Sequence, residues 1–541
     1  MKTMTEKKIF VPSFDNIAFT ENGAVSYKTT GVAIADQFGK AGNYRGRDLN
    51  AVFKEQEALW LENHENAVRF PFYLRLVTRK VKVNGENVTE KVQKGQGVRD
   101  ESFKRLLWLA EFQPDTFYKN IWALPLVGSW KDVWTLLYYD ITVGHNVIDH
   151  TIIFDLINEG LKCGTHTELI KKFMPRIETR SKCKTDWRSI RNDLAREFAN
   201  YNKLSYKDYN KLKTSGKAHD FQKLICSGRF KDINWNLIPG RALSKLASQK
   251  FLAKHELEKG YIDWVKAQPT VKFTGYVYEL MKEISTTNGW STSVKNLPLF
   301  KKLTVDKQFD ELVKKAEADG KITDNVWCAL DTSGSMGIQV IPGTSAFDIC
   351  VSLGVFFATL NKGAFHKNVI MFDNVSHVKQ LPDAGFCDMV ANIYNSATAW
   401  GSTNFQSVVD EIVRIRKNNP KIPLEDYPTT LLVVSDMQFN PVGANVTTNY
   451  IEMKKKLYEV FPQEFVDNMK FIWWQVTGRT KDVPAEIGAG QIFLSGFDGS
   501  VVSLMLGGEA KEIEKEKGRP ITTEEAIGIA LNQEILSYIT V

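Results

Sequence analysis

Oxygen-bearing side chains stand where several predicted strands of this chain end. The clearest case is the stretch DTSGSM at 331–336, which directly follows the apolar run NVWCAL. The stretches WGSTNF at 400–405 and VVSDMQF at 433–439 have the same character. Because the carboxyl ends of parallel strands meet at one edge of a sheet, we expect these side chains to converge. The five residues concerned are Asp331, Ser333, Ser335, Thr403 and Asp436.

Two carboxylates and three hydroxyls form a hard ligand set that contains only oxygen. Such ligands suit an octahedral Mg²⁺ or Mn²⁺ ion that keeps some of its water. With few anionic ligands the cation stays electrophilic, so an acidic group from a protein partner can complete its shell. The alternative reading is structural: in DTSGSM the Asp and Ser side chains would only form a turn and cap the next helix.

The predicted secondary structure that positions these residues changes near Gly320. After it, apolar strands alternate with helices, which predicts a parallel, doubly wound α/β sheet. The predicted strands cover 326–330, 368–373, 429–436, 470–476 and 491–496, and the predicted helices cover 345–361, 386–397, 404–418 and 449–461.

Before Gly320 the pattern is helical from about residue 45, with apolar residues at steps of three and four. One hairpin is predicted at 80–92 around an Asn-Gly turn, and 271–285 is predicted as a helix. Short turns between successive helices favour stacked helix pairs. The fold class is therefore multidomain α + α/β, an all-α helical-repeat domain of the HEAT-like kind followed by a Rossmann-like domain. The expected division is a lead-in at 1–30, helical repeats at 31–320, the α/β domain at 321–508 and a helical extension at 509–541.

Net charge, apolar runs and cysteine spacing limit the classes of protein to which the chain can belong. The 541 residues carry a net charge of +7, and no apolar run is long enough to span a membrane. Six scattered cysteines form no CxxC pair, which is typical of reduced thiols in a cytoplasmic protein. The positive charge is concentrated in 171–250, where 20 Lys and Arg stand against 7 Asp and Glu.

Within that basic segment, aromatic residues alternate with Lys and Arg. Cations neutralise phosphates and aromatic rings stack on unpaired bases, so the pattern predicts an RNA-binding surface. The alternatives are a solvated helix face with its aromatic residues in the core, an acidic protein partner, or the acidic half of the same chain. The candidate RNA-binding residues are Lys182, Lys184, Trp187, Arg188, Arg191, Arg196 and Tyr206.

The strand-end motifs also carry a family resemblance. DxSxS at Asp331, Ser333 and Ser335, a later Thr403 and a later Asp436 resemble the metal-ion-dependent adhesion site of von Willebrand factor A (vWA) domains. The stretches GSTNFQ, WWQV and LSGFDGSVV, with FYLRLVTR, LVGSWKDVWTLL and NWNLIPGRALSKLASQKF upstream, resemble the DUF2828 family over roughly 35–505. That family is similar to TROVE proteins, the Ro autoantigen group. The resemblance implies a ring of helical repeats that binds structured or misfolded RNA, joined to a vWA domain.

The resulting hypothesis is a non-enzymatic RNA-binding protein whose metal site recruits a protein partner. The alternative is a Mg²⁺-dependent assembly adaptor, or scaffold, that binds no nucleic acid. A metal-assisted hydrolase is a third reading, but the motif residues include no evident general base. The chain has no P-loop, no GxSxG elbow and no HExxH pair, which argues against the corresponding enzyme classes.

Overall fold

The structure is a computed structural model that describes residues 16–83, 89–164, 166–179, 185–215, 220–288, 291–318, 325–397, 401–442, 448–478 and 482–541. Its first part is mainly helical. The helices are α1 (Ala33–Phe38), α2 (Leu49–Glu62), α3 (His64–Arg75), α4 (Asp100–Phe112), α5 (Pro114–Asn120), α6 (Leu124–Val127), α7 (Trp130–Val143), α8 (His150–Cys163), α9 (Thr167–Phe173), α10 (Asp186–Tyr201), α11 (Tyr206–Thr214), α12 (Asp220–Cys226), α13 (Gly240–Leu246), α14 (Gln249–Leu252), α15 (Glu258–Ala267), α16 (Val277–Ile284) and α17 (Leu299–Ala318).

Three antiparallel hairpins interrupt this helical part. They are β1 (Ile17–Phe19) with β2 (Val25–Tyr27), β3 (Arg79–Val83) with β4 (Thr89–Gln93), and β5 (Ser285–Asn288) with β6 (Ser291–Val294). The β3–β4 pair confirms the hairpin predicted from the Asn-Gly turn, although the turn itself lies outside the described residues.

The second part is the α/β half. Its strands are β7 (Val326–Asp331), β8 (Gln339–Ile341), β9 (Thr344–Ser345), β10 (Asn368–Phe372), β11 (Ser376–Gln380), β12 (Thr430–Ser435), β13 (Lys470–Gln475) and β14 (Gln491–Ser495). Its helices are α18 (Ala346–Leu360), α19 (Phe386–Ser396), α20 (Phe405–Asn418), α21 (Asn449–Tyr458), α22 (Gln463–Asp467), α23 (Val502–Leu506), α24 (Glu509–Lys517), α25 (Thr523–Leu531) and α26 (Glu534–Ser537).

Six of these strands form one sheet in the order β11-β10-β7-β12-β13-β14. All neighbours pair in parallel except β10 and β11, which form an antiparallel edge. Both faces of the sheet are covered, since alternate residues of the central strands belong to two separate apolar cores. In β7, Cys328 and Leu330 face one core, while Trp327 and Ala329 face the other. The sequence prediction of an α + α/β chain with a mainly parallel sheet is confirmed.

Helix α18 lies beneath the strand ends and is buried along nearly its whole length. It begins with a reciprocal cap: the Asp348 amide donates to Ser345 Oγ over 3.0 Å, and the Ser345 amide donates to Asp348 Oδ2 over 2.7 Å. Such a box satisfies amide groups that a helix start otherwise leaves unpaired. The apolar run FDICVSLGVFFATL can therefore enter the core as a helix without unpaired donors at its start.

The prediction of a helix over 271–285 was too long. Only Val277–Ile284 is helical, and the segment before it is held extended by the neighbouring helix α17. The Val271 amide donates to the Lys307 carbonyl over 3.0 Å, and Lys315 Nζ donates to the Phe273 carbonyl over 2.5 Å. These contacts between distant parts of the chain override the local helical periodicity.

The first and the last described segments each pack against the other half. Hairpin β1–β2 lies beside the α/β half, where the Tyr27 amide donates to the Val483 carbonyl over 3.0 Å. The C-terminal segment lies on the helical half, where Arg69 Nε donates to the Ile539 carbonyl over 3.1 Å. One apolar core runs through both halves. Across the part of the chain that the structure describes, no helix has the length and hydropathy needed to cross a membrane.

Candidate functional site at the strand ends

Strands β7 and β12 bring two carboxylates to the same edge of the sheet. The strands are parallel neighbours, with Leu330 opposite Val434, so Asp331 lies level with Ser435 and Asp436 follows one residue later at the same edge. Both side chains are buried. The carboxylates are therefore positioned by the pairing of two central strands.

The loop that carries Thr403 is tied to the strand ends by backbone hydrogen bonds. The Gly334 amide donates to the Gly401 carbonyl over 3.1 Å, and the Asn404 amide donates to the Asp373 carbonyl over 2.8 Å. On the other side, the Asn440 amide donates to the Thr403 carbonyl over 2.8 Å. Thr403 is 1% exposed. The loop thus lies between the segments that follow β7, β10 and β12, as the sequence predicts.

Asp331 accepts two hydrogen bonds that orient its carboxylate. The Ser333 amide donates to Oδ1 over 2.9 Å, and the Ser435 hydroxyl donates to Oδ2 over 2.5 Å. Ser435 is a member of the site that the sequence analysis missed. Its position immediately before Asp436 at the end of β12 was the available signal.

The hydroxyls of Ser333 and Ser335 lie 3.1 Å apart. Adjacent ligands of an octahedral ion with bonds of 2.0–2.1 Å are separated by about 2.9 Å, so this spacing fits two neighbouring positions around Mg²⁺. Among the described residues, no group of three or more His, Cys, Asp or Glu side chains is arranged to hold a metal ion. A cation at this edge would depend on the hydroxyls as well as the two carboxylates.

The two carboxylates also make the edge electrostatically unfavourable without a cation. Burial, together with the nearby Asp436 carboxylate, raises the pKa of Asp331 to about 7, although hydrogen bonds from Ser333 and Ser435 act in the opposite direction. A divalent cation between the carboxylates would favour their charged forms. The donor set therefore fits a hard divalent ion in charge as well as in chemistry.

The basic segment presents a second candidate surface on helix α10. The Trp187 ring is 45% exposed, and the guanidinium groups of Arg188 and Arg191 lie 5.5 and 5.9 Å from its centre. Neither arginine has a carboxylate within 4.0 Å among the described residues. These three of the predicted RNA-binding residues therefore share one solvent-facing surface.

Two further cations join this surface from other helices. The pKa of Lys213 on α11 is lowered by burial and then by the positive charges of Arg176 and Arg191. Arg176 follows α9, so the two cations whose charges act on Lys213 come from different segments of the chain. The sequence analysis missed Arg176 and Lys213, because only the packing of α9, α10 and α11 brings them to Arg191. We refer to Arg176, Arg188, Arg191, Lys213 and Trp187 as the basic surface.

The remaining predicted RNA-binding residues are placed differently. The Arg196 guanidinium lies 4.7 Å from the centre of the Tyr206 ring and donates to the Glu178 carbonyl over 2.9 Å. Arg196 therefore helps to join α10 to its neighbours, while Tyr206 remains partly exposed. Lys182 and Lys184 lie outside the described residues.

Two comparisons with known proteins bear on the strand-end site and on the basic surface to different extents. Residues 326–534 match the family model described as "Domain of unknown function (DUF7788)". This match contains all five strand-end residues and none of the basic surface. Over 525 residues the chain is 21% identical to "Uncharacterized protein L728" of Acanthamoeba polyphaga mimivirus. The aligned region covers 91% of this chain and 85% of that protein.

These findings correct the family named from the sequence. The DUF7788 model matches residues 326–534 only, less than half of the chain, and the comparisons give no support to membership of DUF2828, the TROVE group or the vWA domains. The physical reason is that short acid and hydroxyl motifs recur wherever parallel strands end at a polar edge. Such motifs describe a local arrangement of ligands, and a fold can carry them without sharing the family's function.

Proposed function

We propose that this protein is a non-enzymatic adaptor that holds Mg²⁺ or Mn²⁺ at the strand-end site and binds an acidic group of a protein partner through the cation. The observation that carries the proposal is the pairing of two buried carboxylates with a hydroxyl pair 3.1 Å apart at one sheet edge. Asp331, Ser333, Ser335, Thr403 and Asp436 would hold the ion. The cation would supply an electrophilic position for an incoming carboxylate.

Two features support binding rather than catalysis. Both oxygens of Asp331 already accept hydrogen bonds, from Ser333 and Ser435, and Asp436 Oδ1 accepts one from the Gln438 amide over 3.1 Å. A general base needs a carboxylate or imidazole that can take a proton from a bound substrate. With the carboxylates committed to orientation and charge compensation, the site is better suited to holding a ligand.

The helical part fits the role of a scaffold in this proposal. We propose that its successive helices act as stacked repeats that carry the partner beside the metal edge. The packing of the first and the last described segments across the two halves supports such a role, because it would keep the metal edge fixed relative to the helices.

The adaptor proposal is tested by binding of an acidic probe. A fluorescent poly-glutamate peptide is titrated with the full chain in Mg²⁺ and in EDTA, and we expect binding in Mg²⁺ alone. Asp436→Asn should abolish it. Asp373→Asn is the matched control, since Asp373 ends the neighbouring strand but is not in the ligand set; it should bind as the wild type does. Equal binding in Mg²⁺ and EDTA would refute the proposal.

RNA binding is a second candidate function, and the basic surface is the observation that favours it. Arg188 and Arg191 lie 5.5 and 5.9 Å from the centre of the exposed Trp187 ring, and burial and the positive charges of Arg176 and Arg191 lower the pKa of Lys213. A phosphate would relieve this repulsion, and an unpaired base can stack on Trp187. Contacts to phosphates and stacking on an indole do not distinguish one base from another. The expected ligand is therefore single-stranded RNA without strong sequence preference.

The RNA proposal is tested by anisotropy of a labelled single-stranded RNA across a range of salt concentrations. Arg191→Ala should weaken binding to all sequences and reduce the slope of log K against log salt by about one. Arg229→Ala is the matched control, because Arg229 lies in the same basic segment but pairs with Asp232 over 2.6 Å. If both variants bind alike, the basic surface does not hold RNA.

A further inference from the structure

A cavity of about 390 Å³ lies where the helical half meets the α/β half. Its walls come from the base of hairpin β3–β4, the extended segment 271–277, helices α17 and α18, and the stretch 498–503. Exposed Thr274 and Lys315 line one side, which is where the cavity meets solvent. Pockets that bind small molecules have volumes of roughly 300–1,000 Å³, so this cavity is of ligand size.

Most of the cavity wall is apolar. Phe273, Leu312, Ala316 and Phe356 line it from three different elements. Because the cavity is open to solvent, its apolar wall is left in contact with water, which is unfavourable. An apolar ligand group would remove that contact with water.

Besides Thr274, Tyr276 and Lys315, polar groups of the cavity come from two places. Arg79 and Lys94 lie at the base of the hairpin, while Asp498 and Ser503 lie on the α/β half. Lys94 is buried, and its Nζ donates to the Ser503 hydroxyl. Asp498 accepts a hydrogen bond from the Thr78 hydroxyl over 2.8 Å. Two buried or partly buried cations thus stand against one carboxylate in this part of the wall.

Arg79 is the group of the cavity wall best placed to bind an anion. Its Nη2 donates to the Gly128 carbonyl over 2.5 Å, but its buried Nε has no hydrogen-bond partner among the described residues. Burial and the nearby Arg75 charge lower the pKa of Arg79. Arg75 and Arg99 together engage Asp132, at 2.6 Å each, so no carboxylate is within 4.0 Å of Arg79 in the described chain. A guanidinium in this position is suited to a carboxylate or phosphate.

We propose that this cavity binds a small amphipathic anion, an apolar chain or ring that carries one carboxylate or phosphate group. The anionic group lies beside Arg79 and Lys94, and the apolar part lies against Phe273, Leu312 and Phe356. Because the walls come from both halves of the chain, the ligand stabilises their packing as well as filling the cavity. This site is separate from the strand-end site and requires no cation.

The test uses 8-anilinonaphthalene-1-sulfonate, an apolar ring system with an anionic group whose fluorescence rises on leaving water. The full chain should bind this probe, and octanoate or octyl phosphate should displace it at a concentration at least tenfold lower than octanol does. The better of the two anions identifies the head group. Displacement by octanol at the same concentration as both anions would overturn the proposal.

Two variants on one helix locate the binding. Ala316→Phe fills the cavity and should abolish octanoate-sensitive fluorescence, whereas Ala318→Phe, on the exposed side of α17, should leave it unchanged. Undiminished octanoate-sensitive fluorescence in a folded Ala316→Phe protein would overturn the proposal. If that variant does not fold, Arg79→Met decides: octanoate affinity should fall at least tenfold with octanol affinity unchanged, and an unchanged octanoate affinity would overturn it.

Discussion

Replacing Asp331 with Asn should have opposite effects on stability with and without a divalent cation. In EDTA at pH 8 the two ionised carboxylates at the strand ends repel each other in a buried place. The pKa of Asp331 lies at about 7 against an ordinary 3.8, which corresponds to a cost of at most about 4 kcal/mol for the ionised form. Asn has nearly the same shape and can keep hydrogen bonds to the Ser333 amide and the Ser435 hydroxyl, so Asp331→Asn should be more stable than the wild type.

Adding Mg²⁺ should reverse this difference. The cation binds only the folded wild type, and at 100 times its dissociation constant it adds about 2.7 kcal/mol of stability. Asp331→Asn should gain little, because it lacks one of the two anionic ligands. The assay is urea unfolding at pH 8 in EDTA and in Mg²⁺. A variant that is less stable than the wild type in EDTA, or that gains as much from Mg²⁺, would refute the reasoning about the carboxylate pair.

Two other predictions concern the packing of α18 on the sheet and an ion pair in the C-terminal helices. Gly354→Ala should destabilise the chain by about 1–3 kcal/mol in urea unfolding, because a Cβ there would lie 2.4 Å from the buried Leu330 side chain; an unchanged midpoint would contradict the packing of α18 on β7. Arg519 above all lowers the pKa of Glu525 to about 2. Since this folded-state pKa is below the unfolded value near 4.5, the stabilisation is present above pH 4.5 and is lost as the pH falls towards 2. The stability difference between wild type and Glu525→Gln should therefore shrink with acidification, and a constant difference would show that the charge of Glu525 is not its source.

The sequence predicted the main strands because they are continuous apolar runs. A strand covered on both faces needs apolar side chains at every position, and β7 and β12 have this character. The edge strand β11 was missed because its residues, SHVKQ, are mostly polar and only partly buried. Residues Ile17–Tyr27, expected as part of a lead-in, form a hairpin that is positioned by contacts with residues more than 400 positions away.

The strand-end site could be predicted because parallel topology alone brings strand ends together. Asp331 and Asp436 needed only the correct assignment of two strands. The hydrogen bond from Ser435 and the attachment of the loop at Gly401 depend on side-chain and loop geometry that periodicity does not carry. The basic surface was even harder to predict from the sequence, because Arg176 and Lys213 come near Arg191 only through helix packing.

The most direct test of the account is the number of Mn²⁺ ions that the chain binds, counted by electron paramagnetic resonance of the free ion. We expect one Mn²⁺ per wild-type chain, displaced by Mg²⁺. We expect none per chain of Asp331→Asn/Asp436→Asn and one per chain of Asp373→Asn. A wild type that binds no Mn²⁺ at millimolar concentration, or a double variant that still binds one ion, would contradict the central claim of a cation at the strand ends.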